Sequence, residues 1–165
     1  RYIWEDIRGM GLNIVLLEPE IPQNTGNIAR TCVITNSTLH IIGPIGFSLS
    51  EKAVKRAGLD YWELLDLRYY NSYKEFTETN KNIKIYYATT KANKNHSDVS
   101  YEEEVYIMFG KETAGIPEEI LKQDIGKCIR IPMLNIEKAR SLNLSNSVSI
   151  VTYEILRQWH YPGMK

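Results

Sequence analysis

Leu12-Asn13-Ile14-Val15-Leu16-Leu17-Glu18-Pro19-Glu20-Ile21-Pro22-Gln23-Asn24-Thr25-Gly26-Asn27-Ile28-Ala29-Arg30 contains a strand, a loop and a helix start in nineteen residues. Residues 12–17 are apolar except for Asn13 and lack the alternation of a half-wet strand, so they suit a strand covered on both faces of a parallel sheet. Glu18-Pro19 ends the run. Pro22 fits the first turn of a helix, where its missing N–H costs nothing, and Ile28, Cys32 and Thr35 fall on one helical stripe. This spacing predicts a helix over 24–36.

The same alternation continues outward. Residues 39–42, 64–67, 83–88, 106–109 and 128–131 read as further strands, with helices over 51–57, 73–79 and 117–121. Val148, Val151, Ile155 and Trp159 recur at helical spacing and predict a last helix over 145–159. Strands alternating with helices predict an α/β domain whose mostly parallel sheet carries helices on both faces.

With 165 residues the chain suits one domain, read here as residues 10–165, with residues 1–9 as a leader outside it. Its 43% hydrophobic and 24% charged residues exclude a disordered or fibrous class. The longest apolar runs fall far short of the roughly 20 residues a membrane span needs. No basic and apolar signal pattern opens the chain, which points to the cytoplasm. Cys32 and Cys128 lack Cys-x-x-Cys spacing and read as reduced core thiols. Lys plus Arg and Asp plus Glu both total 20, so a polyanionic partner has to be met by a local patch. Lys52, Lys55 and Arg56, with Lys91 and Lys94, are the candidates, unless they form an ordinary solvated face.

Several chemistries drop out. Gly110-Lys111-Glu112-Thr113 lacks the upstream glycine of a phosphate-binding loop and has Glu112 where a magnesium-holding hydroxyl belongs. No Gly-x-Gly-x-x-Gly follows the first strand. His40, His96 and His160 are scattered without metal-ligand spacing, so no metal is expected, and His40 reads as a partly buried strand residue. No serine or cysteine has the setting of a nucleophile.

Three constellations remain. Residues 22–30 follow the first strand, where open α/β sheets bind ligands; Asn24 is a candidate cap, Gly26 permits close approach, and Arg30 offers a guanidinium fork to a phosphate. A plain capped helix with a surface arginine has the same spacing. Residues 109–117 repeat the strand, glycine loop and helix, with Gly110 and Gly115 suited either to a flat ligand or to a tight turn. Residues 131–133 and 139–149 crowd short polar side chains at the mouth of the last helix. Capping by Ser145 or Asn146 accounts for one or two of them, but not for Asn143 and Asn146 together.

Taken in order, Glu18-Pro19-x-Ile21-Pro22-x-Asn24-Thr25-Gly26-Asn27-x-x-Arg30, Arg56-Ala57-Gly58-Leu59-Asp60-Tyr61, Phe109-Gly110-x-Glu112-Thr113-x-Gly115, Ile131-Pro132-Met133 and Ser141-x-Asn143-Leu144-Ser145-Asn146 resemble the SPOUT superfamily of S-adenosylmethionine-dependent RNA methyltransferases. The likeness spans residues 12–163. It is strongest to the YibK/TrmL-like subfamily, which methylates the ribose 2′-hydroxyl of the tRNA wobble nucleotide, cytidine or uridine. The resemblance implies a deep trefoil knot in the C-terminal third, a site without metal, and an obligate homodimer using the first and last helices, with Tyr153 as interface packing. S-adenosylmethionine, leaving as S-adenosylhomocysteine, would sit among Ala88, Thr89, Gly110, Glu112, Gly115, Ile131, Met133, Ser141, Leu142 and Leu144. Arg30, Asn143 and Asn146 would serve catalysis, and Asn24, Arg30, Lys52 and Arg56 would meet the tRNA anticodon stem-loop. A catalytically inactive RNA-binding or assembly module of the same fold is the alternative.

Overall fold

The computed structural model describes residues 11–50 and 59–165. The expected leader, the helix over 51–57, and Lys52, Lys55 and Arg56 lie outside the described residues.

Among the described residues six strands, β1 (Gly11–Leu17), β2 (Thr38–Ile42), β3 (Leu67–Tyr70), β4 (Ile85–Ala88), β5 (Glu104–Phe109) and β6 (Cys128–Ile129), form one sheet in the order β3-β2-β1-β5-β4-β6, every pair parallel. The helices are α1 (Pro22–Ile34), α2 (Tyr73–Thr79), α3 (Glu118–Leu121) and α4 (Leu144–Gln158). The α/β expectation holds, with shifted ends. α1 begins at Pro22, two residues before the expected start, because Ile21 and not Asn24 is its N-cap. The strand expected over 64–67 is instead Leu67–Tyr70, since Leu64 closes a 3-10 turn over Leu59–Leu64 and stands exposed.

β1 is buried on both faces as its composition predicts. Leu12, Ile14 and Leu16 meet Ile28 and Cys32 of α1 and Val148, Val151 and Ile155 of α4 on one face. Val15 and Leu17 meet Phe76 of α2 and Ile120 and Leu121 of α3 on the other. Cys32 and Cys128 are free and buried, and burial pushes the Cys32 thiol far above its ordinary range.

Asn13, the polar residue inside β1, has a partner on β2. His40 is fully buried, deeper than expected, with Nε2 2.8 Å from Asn13 Oδ1 and Nδ1 2.9 Å from Tyr70 Oη. The amide oxygen only accepts, so Nε2 carries the proton and Nδ1 takes the tyrosine O–H. Asn80 Nδ2 donates to the Tyr70 oxygen at 3.2 Å, and Asn13 Nδ2 to the Val105 carbonyl at 3.4 Å. Burial, reinforced by Arg68 and opposed by Asp66, lowers the imidazole to about 4, so it stays neutral. No helix among the described residues is long and apolar enough to cross a membrane.

Candidate active site

A cavity of about 490 Å³ opens at the C-terminal ends of β4, β5 and β6. Its walls are 88–91 after β4, 109–116 after β5, 129–133 after β6, and 139–144 leading into α4, with Ile21 and Asn24 at its edge. Ala88, Thr89, Gly110, Glu112, Gly115, Ile131, Met133, Ser141, Leu142 and Leu144 all line it, and so do Asn24 and Asn143. Arg30 on α1 and Asn146 on α4 are exposed and do not line it.

The loop after β5 has a shape that only glycine permits at Gly110 and that favours glycine at Gly115. A Cβ on Gly110 would sit 2.5 Å from the Gly115 carbonyl oxygen and closer still to the Gly115 carbonyl carbon and Ile116 nitrogen. Gly115 has φ +69°, in the left-handed region, and its N–H donates to the Lys111 carbonyl at 2.9 Å. Gly110 is therefore needed for the loop to close on itself, in addition to any room it leaves for a ligand.

Glu112 is the residue that caps α1. Its carboxylate accepts from Glu20 N at 2.9 Å, Ile21 N at 2.6 Å and Asn24 Nδ2 at 3.4 Å. A helix start leaves its first amides unpaired, and Ile21 has no side chain to serve them. Asn24, expected as the cap, is buried inside the first turn and bridges instead, its Oδ1 accepting from Asn143 Nδ2 at 3.1 Å. The last helix corrects a second expectation, because Asn143 and neither Ser145 nor Asn146 is its N-cap. Asn143 Oδ1 accepts from Ser145 N at 2.9 Å and from Ser145 Oγ at 2.6 Å. One polar chain thus runs from α4 through Asn143 and Asn24 to Glu112.

Residues 11–153 match the SpoU rRNA Methylase family. The chain belongs to the SpoU methylase family. This SpoU protein is 49% identical over 153 residues to the tRNA (cytidine(34)-2′-O)-methyltransferase of Escherichia coli K12, covering 92% of this chain and 96% of that one. A solved structure concerning the 2-OH methylation of C/U34 on tRNA superposes with TM-score 0.86 at 38% identity, covering 92% and 98%. The SpoU methyltransferase AviRb of Streptomyces viridochromogenes, solved with AdoMet, shares the fold with TM-score 0.81 at 20% identity, covering 93% of this chain and 62% of that one.

The SpoU cavity also contains residues that no motif flagged. His96 and Arg130 line it, joined by His96 N donating to the Arg130 carbonyl at 2.7 Å, while Arg130 Nη1 reaches the Ala92 carbonyl at 3.4 Å. Only the pairing of β4 with β6 brings them together, so no local pattern announces them. Arg140 lines the cavity with φ +59°, a backbone conformation unusual for a residue with a Cβ. Lys91, read as a phosphate contact, pairs with Glu118 at 2.6 Å, which holds the Glu118 carboxyl below its ordinary range.

Proposed function

We propose that this SpoU methylase transfers the methyl group of S-adenosylmethionine to the ribose 2′-hydroxyl of the wobble nucleotide, cytidine or uridine, in the anticodon stem-loop of tRNA. One observation carries the proposal: three loops far apart in sequence share a single cavity at the C-terminal ends of adjacent parallel strands. Its volume falls within the range of about 300–1,000 Å³ usual for cofactor-sized ligands. Apolar Phe109, Ile129, Ile131, Met133, Leu142 and Leu144 can cover an adenine, and backbone groups of the same loops can orient it. Bound there, S-adenosylmethionine supplies a sulfonium-activated methyl and leaves as S-adenosylhomocysteine.

The chain's own part is alignment and charge. Apolar walls favour loss of the sulfonium charge over its solvation by water. Arg30 offers a guanidinium fork that positions the ribose and its phosphate. The amide and carbonyl of Asn143 are occupied by Asn24 and Ser145, so Asn143 orients the loop. Asn146 stands exposed on the first turn of α4, beside the surface that we assign to the partner subunit.

The reading includes a homodimer. α1 and α4 pack side by side, with Thr31 Oγ1 3.4 Å from Ser149 Oγ, and leave Ile34, Ile150 and Tyr153 exposed at 54%, 39% and 41%. Exposed apolar groups on two packed helices suit a self-complementary interface, and Arg30 would act across it. It also includes a deep trefoil knot over the C-terminal third. β6 stands at the sheet edge, yet the helix that follows packs on α1, so segment 131–143 returns past the ends of β4 and β5.

Incubation with total tRNA and methyl-labelled S-adenosylmethionine, followed by mapping of the modified nucleotide, tests the assignment. Label on the 2′-oxygen of nucleotide 34 is expected. Label on a base, at another nucleotide or nowhere refutes it.

A further inference from the structure

Glu20-Ile21 and Glu112-Thr113, more than ninety residues apart, grip each other in both directions. The Glu112 carboxylate accepts the amides of Glu20 and Ile21, and Glu20 Oε1 accepts Thr113 N at 2.9 Å and Thr113 Oγ1 at 2.7 Å. Lys111 Nζ adds a weak contact to Glu18 Oε2 at 3.9 Å. The Thr113 donors, helped by Lys111, hold the Glu20 carboxyl below its ordinary range.

The two halves of this clamp do different work. Glu112 accepts the amides of Glu20 and of Ile21, the N-cap of α1, and its loss leaves the helix entry unserved. The Glu20 side chain instead accepts the amide and the hydroxyl of Thr113 on the cavity wall. Thr113 and Glu20 are both exposed, where water could serve either group, so these bonds add little to stability. They do control geometry. Thr113 belongs to the cavity wall 110–115, and Glu20 to the entry of the helix that bears Arg30 about 12 Å further along its axis, eight residues after Pro22.

We propose that Glu20 is a positioning residue for methyl transfer: by holding Thr113 it keeps the cavity wall 110–115 in register with α1, so that donor seating and Arg30 placement are set together. This rests on the reading of the cavity as the methyl-donor site. A guanidinium displaced by a fraction of an ångström still binds RNA but aligns the attacking hydroxyl poorly, so the loss falls on turnover.

The test compares Glu20→Ala, Glu20→Gln, Thr113→Val and the double variant Glu20→Ala/Thr113→Val. Turnover is measured with tRNA and methyl donor both saturating, and S-adenosylhomocysteine affinity by calorimetry. Glu20→Ala is expected to lower kcat about tenfold and weaken S-adenosylhomocysteine about threefold. Glu20→Gln, whose amide oxygen accepts the same two donors, stays within about twofold of wild type in both. Thr113→Val, which keeps its N–H, loses about threefold in kcat, and the double variant is no worse than Glu20→Ala alone.

Glu20→Ala turnover within about twofold of wild type overturns the proposal, as do equal losses in Gln and Ala or single losses that multiply in the double variant. A fall in melting temperature without a fall in saturated turnover marks Glu20 as merely structural and also overturns it. Wild-type protein that fails to bind S-adenosylhomocysteine refutes the donor-site reading instead, which separates the two failures.

Discussion

Replacing Gly110 with alanine tests whether the loop after β5 must close on itself to make the cavity. The added Cβ would lie 2.5 Å from the Gly115 carbonyl oxygen and closer still to the Gly115 carbon and Ile116 nitrogen, against an ordinary contact of at least 3.4 Å, so the Gly115–Ile116 backbone has to retreat by more than about 1 Å. The obstacle is backbone, with no flexible side-chain end to swing aside. Retreat breaks the 2.9 Å bond from Gly115 N to the Lys111 carbonyl and loosens Glu112 and Thr113 between these two glycines. With overpacking at about 1–3 kcal/mol and one hydrogen bond at about 1 kcal/mol, the closed loop loses about 2–4 kcal/mol. Even the lower figure corresponds to about thirtyfold in affinity for a ligand that needs the closed loop. Calorimetry with S-adenosylhomocysteine reads this directly, while circular dichroism confirms that the variant is folded. The smaller Ala is a sharper probe than Val, because no side chain beyond Cβ enters the cavity. A folded Gly110→Ala protein that binds within about threefold of wild type refutes the reasoning.

Arg30→Ala is expected to lower turnover on the order of 100-fold while S-adenosylhomocysteine affinity stays near wild type, since Arg30 lies outside the cavity walls; unchanged turnover removes it from the site. His40 makes stability depend on pH with a definite sign. Its folded pKa of about 4 lies below the 6.5 of a free imidazole, so the unfolded chain takes up the proton first as the pH falls. That stability is complete above about pH 6.5 and declines toward pH 4, by about 3 kcal/mol in all. Urea midpoints measured across that range should fall more steeply for wild type than for His40→Gln, and equal slopes contradict the assignment. Charges at the exposed apolar positions of α1 and α4, in Ile34→Asp/Tyr153→Asp, are expected to shift the mass measured by light scattering from twice 19.1 kDa to 19.1 kDa; a persistent dimer places the interface elsewhere.

Residues 12–17 and the stripe Ile28, Cys32, Thr35 declare a two-face-buried strand and a helix because burial imprints its period on neighbouring residues. The strand and helix alternation, and so the α/β class, was legible for that reason. The order of glycines and short polar residues in three loops also marked most of the cavity wall, once read as a family pattern. Local rules failed where a residue's partner lies far away. Asn24 has the chemistry of a helix cap, but Ile21 is the N-cap of α1 and Glu112 serves its amide, because the strand order places β5 beside β1 and brings the 110–115 loop over the start of α1. Asn13 looked like an interruption in an apolar strand until His40 on β2 and the Val105 carbonyl on β5 supplied its hydrogen bonds.

Composition and periodicity thus marked most of the described strands and helices, the strand placed over 64–67 excepted, since those choices depend on the few residues within one turn or one pleat. The tertiary structure alone decided that 88–91, 109–116, 129–133 and 139–144 enclose one cavity, that His96 and Arg130 belong to its wall, and that Glu20 and Glu112 brace it. Those outcomes depend on contacts between residues roughly thirty to more than ninety positions apart, whose geometry is set only when the parallel sheet assembles.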